Sequence, residues 1–504
     1  MIETLQAQCT VMTRKTFSCR IQEAAKTMKS IIVRKLSAVN HVATTTDCWS
    51  ARQRSYLGVT CHWIDHTSLE RHSAALACRR LKGSHTFDVL AATLEDLHSE
   101  YQIRGKVTRT TTDSGSNFLK AFRVYGAQEK EDRVADDGQE ERDSEGSEDE
   151  SESEVEYQNV SSILDNDTCL GYHLPKHQKC ACHLLNLISA VDTTAAGARS
   201  ETYKRLSRAA FAKCSALWNK TSRSTTAFEI VERECKMQFL RPNQTRWSSL
   251  FFAVERVVCI QKEQGEKAIR NVCIALRINM LNTAEMAFLT EYAAVMKPVA
   301  MALNILQGQS SLHMGFLLPT LHQLQNKLKK LESSCKVCRP LIDVLQEGIQ
   351  KRFGEMMKQP ELIAAAILLS KFRTSWTTDD SILNDGLDYI KNHLDTDLEM
   401  DDAPKNSSHS DEDDFFASLN TGQSQTGELE RYLSCPSTGG MDLLLFFPQI
   451  KSLSMKINTG LPASAACERL LSHAGLLFTA KRSQLHSVNL ESQLLLKLNS
   501  HLTE

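Results

Sequence analysis

Three acidic residues in widely separated segments could together hold divalent metal ions. Asp113 closes the run "TRTTTD", Asp47 closes "ATTTD", and Glu468 lies within "ASAACERLLSHAG". Carboxylate oxygens are the hard ligands that Mg²⁺ prefers, and a pair of such ions about 3.5–4 Å apart can activate an attacking oxygen and stabilise a leaving oxygen at a phosphodiester. The alternative is that Asp-Ser-Gly after the Thr-rich run is ordinary turn chemistry. Isolated acids at strand and helix ends are usually solvated or capping residues.

The elements that must position these acids follow from the hydrophobic periodicity. Short β-leaning runs separated by polar turns occupy residues 40–50, 55–65, 72–81 and 107–113. Helical patterns occupy residues 1–36, 85–103 and 117–124. Antiparallel strands followed by a helical crossover to parallel strands predict an α/β sheet of the ribonuclease-H-like kind. If the first and fourth strands are neighbours, Asp47 and Asp113 meet at one edge of that sheet.

The remainder of the chain is predicted to be mostly helical. Residues 174–191 indicate a short strand that turns into an apolar helix, and residues 202–392 contain helical periodicity without a convincing strand. Two strongly acidic runs, 129–156 and 395–414, are too charged to bury apolar surface and are predicted to be disordered. Helical patterns resume after the second run.

Composition narrows the class of protein. The net charge of −2 conceals a clearly basic body once the two acidic runs are set aside, which suits a polyanionic partner. The 16 cysteines are scattered, the N-terminus lacks a signal-peptide core, and no run approaches the roughly 20 apolar residues that cross a bilayer. We therefore expect free thiols, a reducing compartment and no membrane. Cys335 and Cys338 form "CKVC", but no second Cys/His pair of matching spacing is nearby, so we predict structural thiols there.

Five collinear motifs resemble those of hAT-superfamily transposases and, more closely, of the vertebrate BED-zinc-finger-type proteins derived from them. They are "TTDCWSARQRSYLGVTCHWID", "TTDSGSNFLKAF", "CACHLLNLI", "NQTRWSSL" and "LPASAACERLLSHAGLLFTAKRSQL". The resemblance runs from about residue 14 to residue 502 and omits the acidic insert. The final motif is specific, and the other four are moderate individually.

The resemblance implies a ribonuclease-H-like fold that is interrupted by a large all-α insertion and completed by C-terminal dimerisation helices. It also implies an Asp-Asp-Glu triad that directs DNA strand cleavage and transfer. The triad falls on Asp47, Asp113 and Glu468, which would be the catalytic residues and the ligands of Mg²⁺ or Mn²⁺.

Two further motifs are implied to contact DNA. The family's C-x-x-H motif matches Cys180 and His183, near the active site and the DNA end. Its Arg-Trp motif matches Arg246 and Trp247, whose ring would stack on a base at the cleaved end. Without the resemblance, "CACH" is a small apolar run at a helix start, and a Trp at helical spacing from Leu250 belongs to a core.

The C-terminal helix carries a broad leucine face made of Leu490, Leu494, Leu495, Leu498 and Leu502. Packing against its own domain explains such a face. The resemblance implies that Leu490, Leu494 and Leu498 also belong to a subunit contact, so we expect a homodimer or a higher homo-oligomer.

A BED zinc finger usually precedes these domains in the family. Residues 1–36 offer only Cys9 and Cys19, so we expect no zinc finger there. The predicted domains are an N-terminal helical segment (1–36), a first ribonuclease-H-like part (37–127), an acidic insert (128–160), a ribonuclease-H-like continuation (161–200), a helical insertion (201–394), an acidic linker (395–428) and the C-terminal dimerisation region completing the core (429–504).

The sequence thus predicts a nuclear, DNA-binding, dimeric protein without a small-molecule substrate, whose ancestral activity is metal-dependent DNA strand cleavage and transfer. The alternative is a domesticated, non-catalytic nuclear protein that regulates transcription or chromatin through dimerisation. A ribonuclease-H-like nuclease on RNA–DNA hybrids shares the acids, but it explains neither the helical block nor the C-terminal motif.

Overall fold

The computed structural model describes residues 12–51, 53–83, 85–127, 172–243, 247–308, 311–399, 427–436, 440–479, 482 and 484–503. The acidic run 129–156 lies outside these residues, and so does the run 395–414 from residue 400 onward. The helix Asp380–Glu399 therefore continues five residues into the segment that the sequence predicts to be a linker.

A five-stranded mixed sheet is built from strands that lie between residues 42 and 179. Its strands are β1 (Val42–Ala51), β2 (Arg54–Ile64), β3 (Arg71–Leu81), β4 (Val107–Thr112) and β5 (Lys176–Lys179). The order is β3-β2-β1-β4-β5, with β1–β2 and β2–β3 antiparallel and β1–β4 and β4–β5 parallel. The predicted adjacency of the first and fourth strands is confirmed, and so is the mixed α/β class with a mostly helical remainder.

Side chains alternate in direction along each strand, so both faces of the sheet carry apolar residues. Helices pack on both faces and bury them. Leu57 and Val59 of β2 face a core that includes α1 (Arg14–Ser37), α2 (Phe87–Glu100) and α3 (Ser116–Tyr125). Tyr56, the neighbour of Leu57, faces the opposite core, which is built on the two C-terminal helices described below. The sheet is therefore the middle of three layers.

The chain between β5 and the C-terminal region is helical throughout its described part. Its helices are α4 (Ala181–Ala190), α5 (Ala196–Arg199), α6 (Glu201–Thr221), α7 (Thr225–Cys235), α8 (Trp247–Leu276), α9 (Thr283–Leu306), α10 (Leu317–Leu331), α11 (Arg339–Met357), α12 (Pro360–Ile367) and α13 (Asp380–Glu399). Helix α9 is long and apolar enough to cross a membrane, but 56% of its most apolar window is buried inside the protein, as in a core helix of a globular domain.

The C-terminal region contributes α14 (Glu428–Ser434), α15 (Pro448–Asn458), α16 (Ala465–Leu477) and α17 (Ser487–Leu498). Helices α16 and α17 pack on the sheet through Leu470, Leu471, Leu490 and Leu494, together with Tyr56 of β2. Helices α16 and α17 thus complete a core with strands that lie some 400 residues earlier in the sequence.

The edge strand β3 is bound by residues from the end of the chain. The register of β2 against β3 shifts between Val59 and Thr60, and near this irregularity the side chain of Asn499 pairs with the backbone of Ala75. Its Oδ1 accepts from the Ala75 N–H at 2.8 Å, and its Nδ2 donates to the Ala75 carbonyl at 2.9 Å. Because Asn499 is fully buried, these bonds satisfy polar groups that would otherwise be costly to bury.

The leucine face of α17 is filled from within the same chain. Leu490 and Leu494 are 0% and 1% exposed, and Leu495 is also buried. Leu498 is only half-buried and lies at the margin of the same cluster. Internal packing therefore accounts for most of this face, and a subunit contact through Leu490, Leu494 or Leu498 stays a prediction.

Gly58 of β2 gives a direct test of how closely α16 approaches the sheet. A Cβ at this position would lie 2.8 Å from Cys467 Sγ and 2.9 Å from Leu471 Cδ2, which is closer than these atoms can tolerate. We expect Gly58→Ala to lower the free energy of unfolding by about 1–3 kcal/mol, the usual cost of overpacking. Urea denaturation followed by circular dichroism measures this change.

The matched control is Gly427→Ala, because an added Cβ there would contact nothing within 4 Å. Equal free energies of unfolding for the two variants would show that the contact between α16 and β2 does not require a glycine at position 58.

Candidate active site

Asp47 and Asp113 occupy equivalent places on two neighbouring parallel strands. The register pairs Thr45 of β1 with Thr111 of β4, and each acid follows its threonine by two residues. Residues two apart on a strand share one face of the sheet, so the two acids stand side by side where β4 ends. The Asp113 carboxylate accepts from the Gly115 N–H at 3.1 Å, which turns the chain into α3.

Glu468 reaches the same place from α16. The backbone register pairs Asp47 with Gly58, and the absence of a side chain at Gly58 allows Cys467 and Leu471 of α16 to lie directly against β2. Glu468 is the next residue after Cys467 and is half-buried. The close contact at Gly58 therefore sets the distance of the third acid from the sheet.

The segment that precedes α16 is tied to the strand ends. Thr111 Oγ1 donates to the carbonyl of Leu461 at 2.6 Å, and the Ala181 N–H donates to the carbonyl of Pro462 at 2.9 Å. The Ser464 N–H in turn donates to Cys180 Sγ at 3.3 Å. These contacts fix the start of α16 against β4 and α4, so Glu468 is positioned by the sheet.

Electrostatics couples the three acids. Burial is the main cause that raises the pKa of Asp47 to about 7, and the negative charges of Asp113 and Glu468 raise it further. The Cys48 N–H donates to Asp47 Oδ1 at 2.7 Å and opposes this shift. Carboxylates from three distant segments therefore act on one another at one edge of the sheet.

The donor chemistry of this site suits a hard divalent cation, since carboxylate oxygens are available and a positive charge would relieve their repulsion. Within the described residues, however, no group of three His, Cys, Asp or Glu side chains has the spacing to hold a metal ion. The acids face one region without forming a ready three-ligand cage.

Cys180 and His183 lie at the start of α4, beside the acids. Cys180 is completely buried, and a hydrogen bond from the Cys182 thiol is the main cause that lowers its pKa to about 7, with help from Ser464 and the His183 N–H against the opposing effect of burial. Because its sulfur accepts from the Ser464 N–H, Cys180 joins the start of α4 to the start of α16. His183 is half-buried and stays the more accessible member of the motif. Contact of either residue with DNA stays a prediction.

The other two predicted DNA contacts are Arg246 and Trp247. Arg246 lies outside the described residues, and Trp247 is described only as the first residue of α8.

Sequence reasoning missed several residues that build this site. Thr111 binds the segment before α16, and Ser464 in that segment binds Cys180. The only signal in the sequence was the Thr-rich run, which indicated that hydroxyl groups would be buried in the sheet. The Ser114 hydroxyl is buried next to Asp113 and makes no hydrogen bond to the described part of the chain. Trp49, two residues after Asp47, packs its ring against Tyr56 and Phe478 at centroid distances of 5.6 and 6.4 Å.

Comparisons with known proteins point to the same part of the chain. Residues 45–135 match the family described as the ZBED1 RNase-like domain. The matched segment contains Asp47 and Asp113 and ends well before Glu468. It agrees with a ribonuclease-H-like arrangement of the sheet.

A relative in Talaromyces stipitatus, named "Putative transcriptional regulator tpeD", is 29% identical to this chain over 104 residues. The aligned part covers 20% of this chain and 12% of the relative. The similarity therefore concerns a short segment of each protein.

The raised pKa of Asp47 predicts a pH-dependent stability. An Asp in an unfolded chain titrates near 3.9, so the folded chain holds this proton more tightly and its stability falls as the pH rises from about 4 to about 7. With a chelator present, we expect Asp47→Asn to raise the free energy of unfolding by on the order of 1–3 kcal/mol at pH 8, and by less at pH 5. Thermal melting at both values measures the difference.

Asp96→Asn, on the exposed side of α2, is the control and should leave the melting temperature unchanged at both pH values. An Asp47→Asn variant that gains no more at pH 8 than at pH 5 would show that this carboxylate is not under electrostatic stress.

Proposed function

We propose that this chain is a hAT-transposase-derived, DNA-binding nuclear protein. The observation that carries the proposal is the coupling of Asp47, Asp113 and Glu468 at one sheet edge, although 421 residues separate the first acid from the last. The match of residues 45–135 to the ZBED1 RNase-like domain supports it. The ancestral reaction of such a site is metal-dependent DNA strand cleavage and transfer.

Asp47 and Asp113 would be the principal holders of Mg²⁺ or Mn²⁺ in this proposal, with Glu468 completing the set. Such an ion, when bound, lowers the pKa of a coordinated water or hydroxyl and stabilises charge on a phosphodiester. The chain's own contribution is to keep three carboxylates together against their repulsion. Gly58 and the segment before α16 provide that restraint.

Strand cleavage by the full chain tests the catalytic part of this proposal. The substrate is a duplex that carries inverted repeats taken from the flanks of the gene, incubated with Mg²⁺ or Mn²⁺ and resolved on a denaturing gel. We expect nicked or hairpin products with the unaltered chain and none with Asp47→Asn or Asp113→Asn, because each change removes an oxygen ligand. Asp96→Asn should cleave normally.

The second candidate function is a non-catalytic regulator of transcription or chromatin. It is favoured by the name of the Talaromyces stipitatus relative and by the lack of a ready three-ligand cage in the described residues. DNA binding without cleavage, in both metals and with intact inverted repeats, would select this function over the catalytic one.

Dimerisation through the C-terminal helix is part of both proposals and can be tested at Leu498. This side chain is half-buried at the margin of the core, so Leu498→Asp should lower stability by about 1–3 kcal/mol as a carboxylate loses contact with water. We expect the dimer to be lost as well. Light scattering reports the mass and thermal melting reports the stability.

Lys497→Asp is the control, because Lys497 is exposed on the neighbouring position of the same helix. A Leu498→Asp protein that keeps both its mass and its melting temperature would remove this helix from the subunit contact.

A further inference from the structure

A basic groove lies between the N-terminal turns of α1 and the segment that leads into α17. It has a volume of about 590 Å³ and is lined by Arg14, Lys15, Arg482 and His486, among other residues. None of its described lining residues carries a carboxylate. We call this feature the α1–α17 groove.

The cations of the groove are available to a ligand. Arg14 and Lys15 are exposed, and no carboxylate of the described chain lies within ion-pair distance of either one. Arg482 is also exposed, and its Nη2 donates to Gln493 Oε1 at 2.9 Å, which holds the guanidinium at the wall of the groove. Positive charge is therefore concentrated here without internal neutralisation by the described residues.

The floor of the groove is held in place by hydrogen bonds between the two helices. Ser18 Oγ and Gln22 Nε2 both donate to Asn489 Oδ1, at 3.0 and 2.8 Å. Phe17 stands beside these polar groups with 52% of its surface exposed. The groove thus offers fixed polar groups and an accessible aromatic ring next to its cations.

One lining residue of the groove is hydrogen-bonded to the sheet. Arg54 pairs with Ala51 at the end of β1, and its Nη1 donates at 3.2 Å to the carbonyl of Leu485, a lining residue. Ala51 is four residues from Asp47, which corresponds to about 13 Å along a strand. The groove is thus joined to the sheet at a point about 13 Å along the strand from Asp47, and none of its described lining residues is one of the acids.

We propose that the α1–α17 groove binds the phosphate backbone of duplex DNA. Arg and Lys together with hydroxyl and amide side chains are the groups that contact phosphates in protein–DNA complexes. Such contacts position a duplex without reading its sequence. The groove is attached through Arg54 to the pair of strands that carries Asp47, so it can position DNA for the candidate active site. The choice of DNA as the polyanion rests on the proposed function.

The test measures binding of the full chain to a fluorescent 20-base-pair duplex of arbitrary sequence, by anisotropy at several salt concentrations. The double variant Arg14→Glu/Lys15→Glu should bind about ten-fold or more weakly, and the slope of log affinity against log salt should shrink by about 2, since about one unit is lost for each phosphate contact. The control is Lys26→Glu/Lys35→Glu, an equal charge change at exposed positions of α1 outside the groove.

The possible results separate the groove from the proposed function. Tight binding by the unaltered chain with unchanged affinity in Arg14→Glu/Lys15→Glu overturns the groove and leaves DNA binding intact. An equal loss in both double variants shows a general effect of net charge and also overturns it. Absence of binding by the unaltered chain overturns both proposals. Tighter binding of polyglutamate than of the duplex at equal charge would assign the groove to an acidic protein segment and overturn the proposal.

Discussion

The position of the half-buried Asp47 beside two other carboxylates is the constraint on which the rest of this structure depends. A carboxylate loses hydration on burial, and like charges nearby add to that cost, so the pKa of Asp47 rises to about 7. A chain free to relax would separate the acids. The fold must therefore contain contacts that resist separation, and these contacts lie on the elements that bear the acids.

Residues 458–464 form the connection that brings the C-terminal region onto the sheet. The buried guanidinium of Arg71, in β3, donates to the carbonyls of Asn458 and Thr459, and Asn458 Oδ1 accepts from the Gly315 N–H at 2.8 Å. A few residues later, Thr111 binds the carbonyl of Leu461. Residues 458–464 are thus fixed by β3, by β4 and by the turn before α10. Because α16 begins directly after this segment, the same contacts fix the position of Glu468.

A second connection joins the sheet to the helical block by charge. Arg109 of β4 is buried and pairs with Glu361 of α12 at 2.8 Å, and Lys176 of β5 binds the same carboxylate at 2.9 Å. The pKa of Glu361 is lowered by these cations despite its burial. Removing Glu361 would leave the buried charge of Arg109 without its carboxylate, so the helical block and the strand that ends before Asp113 are held in one arrangement.

The strands and the pairing of the first two acids could be predicted from sequence because the signals are local. Thr-rich, β-leaning runs mark β1 and β4. Asp113 directly follows β4 as predicted, but β1 continues for four residues beyond Asp47 to Ala51, so the prediction that Asp47 ends its strand is wrong. The contact at Gly58 could not be predicted, since a glycine within a strand does not reveal which helix approaches it. Cys180 illustrates the same limit. Its motif indicated a place near the site, but its buried sulfur accepts from the N–H of Ser464, which is 284 positions away in the sequence.

The charges of the candidate active site and of the α1–α17 groove have opposite signs, and this separation is physically useful. Three carboxylates repel a phosphate backbone, so a polyanion gains nothing by approaching them without a neutralising cation. A basic surface joined to the sheet at Arg54, the residue paired with Ala51, can retain the same polyanion while the acids stay clear of it. Arg54 of β2 pairs with Ala51 at the end of β1 and donates to the carbonyl of Leu485 in the wall of the groove, so the groove and Asp47 are attached to the same pair of strands. Binding and reaction would then depend on separate residues, and loss of one need not remove the other.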